Sequence, residues 1–119
     1  MTPETIDAHD GSIARTTCAD LIVHYLGLLG VPCVFGVPGG NIDALLAALA
    51  RRREASGVRW VLTRSEAGAG FMADGFARES GVIGVCSATS GPGCTNLLTP
   101  VSRAYVDGVA RLVVTGRNG

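Results

Sequence analysis

Arg59-Trp60-Val61-Leu62-Thr63-Arg64-Ser65-Glu66-Ala67-Gly68-Ala69-Gly70-Phe71-Met72-Ala73-Asp74-Gly75-Phe76-Ala77-Arg78 opens as a short apolar run and turns into a helix of small residues. One acidic residue, Glu66, stands at the switch. A carboxylate there is favoured in its ionised form by the helix dipole and the free first-turn N–H groups, by about 0.3–1 kcal/mol. Burial against a partner pushes the other way, so such a group is poised to share a proton with a bound base. The same letters also fit a capping box, with Thr63 as N-cap and Glu66 reaching back to it. Spacing alone favours the cap, because capping boxes are far commoner than catalytic carboxylates.

The helix that follows carries Gly68, Gly70 and Gly75, each costing about 1 kcal/mol relative to Ala. Close approach of another backbone or a ligand would offset that cost. Helix-on-sheet packing within the chain and burial in a subunit interface are both compatible with it. Asp74 and Arg78 are expected to form a modest exposed pair.

Upstream, residues 1–14 are polar and aperiodic and read as a flexible leader. Thr16 or Thr17 caps a helix on which Leu21, Ile22, Tyr25, Leu26 and Leu29 recur, stopped by Gly30 and Pro32. Cys33-Val34-Phe35 is a strand, and Gly36-Val37-Pro38-Gly39-Gly40 a loop. Asn41 reads as N-cap of a helix through Ile42, Leu45, Leu46 and Leu49, closed by Arg51-Arg52-Arg53. Ser56-Gly57 breaks it before the strand Trp60-Val61-Leu62.

Downstream of Gly81, Val82 to Cys86 reads as a strand buried on both faces. Thr89-Ser90-Gly91-Pro92-Gly93-Cys94-Thr95-Asn96 is a tight loop opening a helix whose N–H groups suit an anion or polar ring; an ordinary strand-to-helix turn fits as well. It is neither a phosphate loop, lacking G-K-[ST], nor a dinucleotide fingerprint, lacking G-x-G-x-x-G. Leu97, Leu98, Val101 and Tyr105 continue that helix, and Leu112-Val113-Val114 is a fourth strand. Four strands alternating with four helices over short connections predict an α/β, three-layer α/β/α domain with a parallel sheet.

The 119 residues suffice for one domain, and 10 basic against 10 acidic side chains argue against a nucleic-acid or anionic-membrane partner. No apolar run approaches the roughly 20 residues of a membrane span, and no signal pattern opens the chain. Cys18, Cys33, Cys86 and Cys94 form no C-x-x-C pair, and with His9 and His24 they make no zinc spacing, so no metal site is expected. Cys33 and Cys86 read as reduced, buried hydrophobes, with the cytoplasm as the default compartment.

The order of motifs resembles the N-terminal pyrimidine-binding domain of thiamine-diphosphate-dependent enzymes, acetolactate synthase type. The resemblance rests on Phe35 to Gly40, Arg64-Ser65-Glu66, Met72 to Arg78, Ala88 to Leu97, and Ala104 to Asp107 ahead of Val113 to Gly116, covering about Ala19 to Gly116. It implies that Glu66 is catalytic. In relatives this glutamate hydrogen-bonds N1′ of the cofactor's aminopyrimidine and promotes the imino tautomer, whose nitrogen deprotonates the thiazolium; a 2-oxo acid then loses carbon dioxide. It further implies a cofactor site of Gly39, Gly40, Glu66, Ser90, Gly91, Pro92, Gly93 and Asn96. The Ser90–Gly93 loop would also shape a dimer contact. Ser65 replaces a common His, Gly40 replaces the Asp of the pyruvate decarboxylase branch, and that branch's His pair near Asp107-Gly108 is missing, which mildly favours a carboligase.

The family's Gly-Asp-Gly diphosphate motif has no counterpart here, and the family's domain has six parallel strands. The expectation is therefore a partial pyrimidine-binding domain over 15–119, truncated to about four strands with the last an unpaired edge. It would be a fragment or a split subunit, not active alone, in a homo- or hetero-oligomer. A diphosphate-binding domain or subunit would hold Mg2+, and a small 2-oxo acid would be the substrate. The alternatives are a non-catalytic interaction or regulatory module on the same fold and, more remotely, a nucleotide or flavin binder.

Overall fold

The computed structural model describes residues 16–118; the expected leader, 1–14, lies outside them. The chain runs α1 (Cys18–Leu28), β1 (Cys33–Gly36), a 3-10 turn (Gly40–Ile42), α2 (Asp43–Arg51), α3 (Arg53–Ser56), β2 (Arg59–Leu62), α4 (Glu66–Ser80), β3 (Gly84–Ala88), α5 (Pro92–Thr95), α6 (Leu98–Asp107) and β4 (Arg111–Thr115).

The strands form one parallel sheet in the order β2-β1-β3-β4, with Phe35 opposite both Val61 and Cys86, and Cys86 opposite Val113. Strand side chains alternate between two cores. Val34, Val85, Trp60 and Val114 pack with Val23 and Leu26 of α1 and with Leu45, Ala48 and Leu49 of α2. Cys33, Phe35, Cys86, Ala88, Val61 and Val113 pack with Ala69 and Ala73 of α4, and with Leu97 and Val101. Three α/β/α layers follow, the architecture that the resemblance implies, with four parallel strands among the described residues.

Several local expectations need correction. Thr17 does cap α1 in a reciprocal box with Asp20. Yet the buried face of α1 is Asp20, Val23 and Leu26, with Ile22, Tyr25 and Leu29 exposed. Asp20 turns that face inward because Arg51 and Arg52 reach it at 2.8 and 3.4 Å. The same arginines thus tie α2 to α1 rather than only closing their own helix, and a break at Arg52 separates α2 from α3. Likewise α6 buries Pro100 and Ala104, with Leu97 just before it, and exposes Leu98 and Tyr105, because Gly70 on α4 admits the Pro100 ring. β3 lies two residues later than expected, carried to Ala88 by its ladder with β4.

Asp74 and Arg78 are not simply an exposed surface pair. Asp74 is buried and is also paired with Arg111 of β4 at 3.0 Å, while Arg78 reaches on to Asp107 of α6. Among the described residues β2 and β4 are the edges, and no helix is long and apolar enough to cross a membrane.

Candidate functional site

In this strand order the chain reverses direction between β1 and β3, where a parallel sheet opens its crevice at the carboxyl ends of the strands. The Gly36–Gly40 loop leaves β1 there, and the 89–96 loop leaves β3 beside it. Gly39 sits so close to Thr89 that a Cβ at 39 would lie 2.5 Å from Thr89 Cβ. Gly91 has φ +66°, a conformation that costs glycine little, and it precedes Pro92 at the start of α5.

Glu66 enters from β2. Ser65, not Thr63, caps α4: its Oγ accepts from Gly68 N at 3.0 Å, while Thr63 Oγ1 is occupied in donating to the Ser65 carbonyl. The capping box expected at Thr63 is therefore absent, and Glu66 is the first residue of a 15-residue helix. Its side chain turns to the 89–96 loop. Asn96 Nδ2 donates to Glu66 Oε2 at 3.3 Å, and Oε1 accepts from no described residue. A Cβ at Gly93 would come 3.5 Å from Oε1 and 3.0 Å from the Thr89 methyl. Glycine at 93 therefore keeps space open beside the free carboxylate oxygen.

Of the residues singled out in the sequence, Glu66, Gly93 and Asn96 meet directly, with Gly39 adjoining through Thr89. Gly91 and Pro92 belong to the same loop, exposed. Ser90 is engaged by Asn41, not by Glu66 or Asn96. Gly40 starts the 3-10 turn and has open space where a Cβ would stand. Sequence reasoning missed Thr89, the wedge between Gly39 and Gly93; its place inside the loop motif was the available signal. It also misread Asn41, which caps neither the 3-10 turn nor α2. The partners of its side chain lie 49 and 77 residues away, beyond any local pattern.

Beneath the crevice, burial pushes the Cys86 thiol up to about 11 against the opposing charge of Arg111, and raises Cys33 likewise against Arg59. Both are free and buried, and act as packing. Among the described residues no group of three or more His, Cys, Asp or Glu is placed to hold a metal ion.

Residues 16–119 match the family described as thiamine pyrophosphate enzyme, N-terminal TPP binding domain. The chain belongs to this thiamine pyrophosphate enzyme family. Relatives include a probable 2-ketoarginine decarboxylase of Pseudomonas aeruginosa, 47% identical over 86% of this chain and 18% of the relative. The acetolactate synthase large subunit of Corynebacterium glutamicum is 44% identical over 99% of this chain and 19% of its own length. The acetolactate synthase isozyme 1 large subunit of Escherichia coli is 43% identical over 87% and 18%. The chain thus spans less than a fifth of the curated relatives it matches.

The chemistry at Glu66 and Gly93 suits the pyrimidine half of the family's cofactor, thiamine diphosphate. An aminopyrimidine presents ring nitrogens and an exocyclic amine to be hydrogen-bonded. The site offers a carboxylate with one oxygen free and a bare glycine backbone beside it.

Proposed function

We propose that this chain is the pyrimidine-binding part of a thiamine-diphosphate-dependent 2-oxo acid decarboxylase or carboligase, acetolactate synthase-like, completed by a diphosphate-binding domain or subunit that carries Mg2+. The observation that carries the reading is Glu66 at the start of α4, with Oε2 held by Asn96 and Oε1 free in a glycine-lined crevice. The relatives' names, one a probable 2-ketoarginine decarboxylase and two acetolactate synthase large subunits, support the substrate class.

When bound, thiamine diphosphate would supply an acidic thiazolium carbon and an electron sink for the decarboxylation of a 2-oxo acid. Glu66 Oε1 holds a proton at the pyrimidine ring nitrogen. Asn96 keeps the carboxylate from rotating away, and the α4 N-terminus favours its charged form. Gly39, Gly40, Gly91 and Gly93, with Ser90 and Pro92 among them, would line the ring's side of the crevice. Exposed Phe71 and Met72 on α4, and the open edge of β4, support a covering partner in an oligomer. Free buried thiols support a cytoplasmic setting.

The test is Glu66→Gln in the complete assembly. The amide keeps the shape and loses the proton acceptor, so kcat is expected to fall roughly 10²–10⁴-fold. Near-normal turnover would overturn the role and leave an interaction module on this fold.

A further inference from the structure

We infer that Asn41 is a positioning residue, which ties together the loops leaving β1, β3 and β4 and so sets the crevice in which Glu66 presents its free oxygen. Asn41 follows the Gly36–Gly40 loop within the 3-10 turn. Its amide nitrogen carries two hydrogens, and both are engaged. One goes to Ser90 Oγ at 2.5 Å, on the loop after β3, and the other to Asn118 Oδ1 at 2.6 Å, beyond β4. Glycine packing reinforces the same junction. A Cβ at Gly116 would collide with the Asn41 carbonyl and Cβ, as one at Gly39 would with Thr89. Three strand-end segments therefore meet at one side chain.

The direction of the bonds matters. Ser90 Oγ accepts from Asn41, so its own hydroxyl hydrogen remains available to a ligand acceptor. All three residues lie at or near the surface, so the bridge adds little to the core. Its effect falls on the relative placement of the loops. Only the identity of the ligand rests on the proposed function.

The experiment follows backbone amide exchange in the complete, cofactor-free enzyme, beside thiamine diphosphate affinity. Ser90→Ala should speed exchange in both 36–40 and 89–93 about fivefold, the weight of one net hydrogen bond, and Asn41→Ala, which also loses Asn118, at least as much. The double variant should be no faster than Asn41→Ala alone, because that change already removes the bond to Ser90. Asn41→Ala should also weaken thiamine diphosphate binding about tenfold while kcat at saturation falls much less, two bonds being lost from the binding wall. Asn41→Asp accepts hydrogen bonds from Ser90 and from a rotated Asn118 amide, and should restore the slow exchange.

Exchange altered only near residue 41 would overturn the bridge. Faster exchange with unchanged cofactor affinity would overturn the positioning role. A wild-type assembly that binds no thiamine diphosphate would instead overturn the functional reading, and the exchange data would still judge the bridge.

Discussion

Asn96 and Glu66 meet at the mouth of the crevice, Nδ2 of the amide 3.3 Å from Oε2 of the carboxylate, while Oε1 lies against the bare backbone of Gly93. The two residues come from loops on opposite sides of β1, so the pair forms only when the sheet order is complete. One oxygen is tethered and the other is left to act. Asn96→Ala is therefore expected to lower kcat/KM of the complete enzyme about tenfold, the low end for a hydrogen bond to a charged group. Steady-state kinetics beside Glu66→Gln check this. A loss as large as that of Glu66→Gln would mean that Asn96 does more than orient the carboxylate.

The glycines of α4 are not equivalent. A Cβ at Gly70 would come 2.7 Å from Pro100 Cβ, whereas one at Gly75 meets open space. Gly70→Ala should destabilise by about 1–3 kcal/mol through overpacking of α6 on α4. Gly75→Ala should stabilise by up to about 1 kcal/mol, from helix propensity alone. Denaturant unfolding separates the two, and equal effects would refute the packing account.

That contrast shows how far the sequence could be read. The alternation of apolar runs with helical stretches was enough for a parallel three-layer sheet, because strands buried on both faces leave continuous hydrophobic runs. The position of Glu66 after β2 was legible for the same reason. Helix rotation was not. Which side of α1 faces inward depends on Asp20 meeting Arg51 and Arg52, and which side of α6 does so depends on Pro100 meeting Gly70. Both are contacts between distant residues that periodicity cannot register. Asn41 was misplaced because a residue after a glycine loop suits a cap as well as it suits a long-range bridge.

Asp20 makes the α1–α2 contact acid-labile. Burial raises its pKa, but hydrogen bonds from Thr17 N and Oγ1 and from Arg51, with the Arg51 charge, prevail and hold it at about 2 instead of 3.8. The folded pKa is depressed, so its contribution, on the order of 2 kcal/mol, is present above the unfolded pKa and is lost as pH falls from about 4 to about 2. Asp20→Asn should flatten that part of the stability–pH curve, measured by urea unfolding at stepped pH. An unchanged slope would exclude Asp20 as the titrating group.

Asp74 and Arg111 form a charge pair at 3.0 Å with side chains only 9% and 4% exposed, yet Asp74 Oδ1 and Arg111 Nε, Nη1 and Nη2 make no hydrogen bond among the described residues. Asp74 has a second cation, Arg78, at 2.9 Å, while Arg111 has no other carboxylate paired with it among the described residues. The two deletions should therefore differ. Asp74→Ala strands a buried guanidinium and should cost about 3–5 kcal/mol. Arg111→Met leaves Asp74 neutralised by Arg78 and replaces the guanidinium with apolar volume, so its cost should be about 1–2 kcal/mol. Combining Arg111→Met with Asp74→Ala should recover much of the larger loss, because no buried charge is then left without a partner. Equal costs for the two single variants, or simple additivity in the double, would show that Arg111 is solvated through the β4 edge rather than held by Asp74.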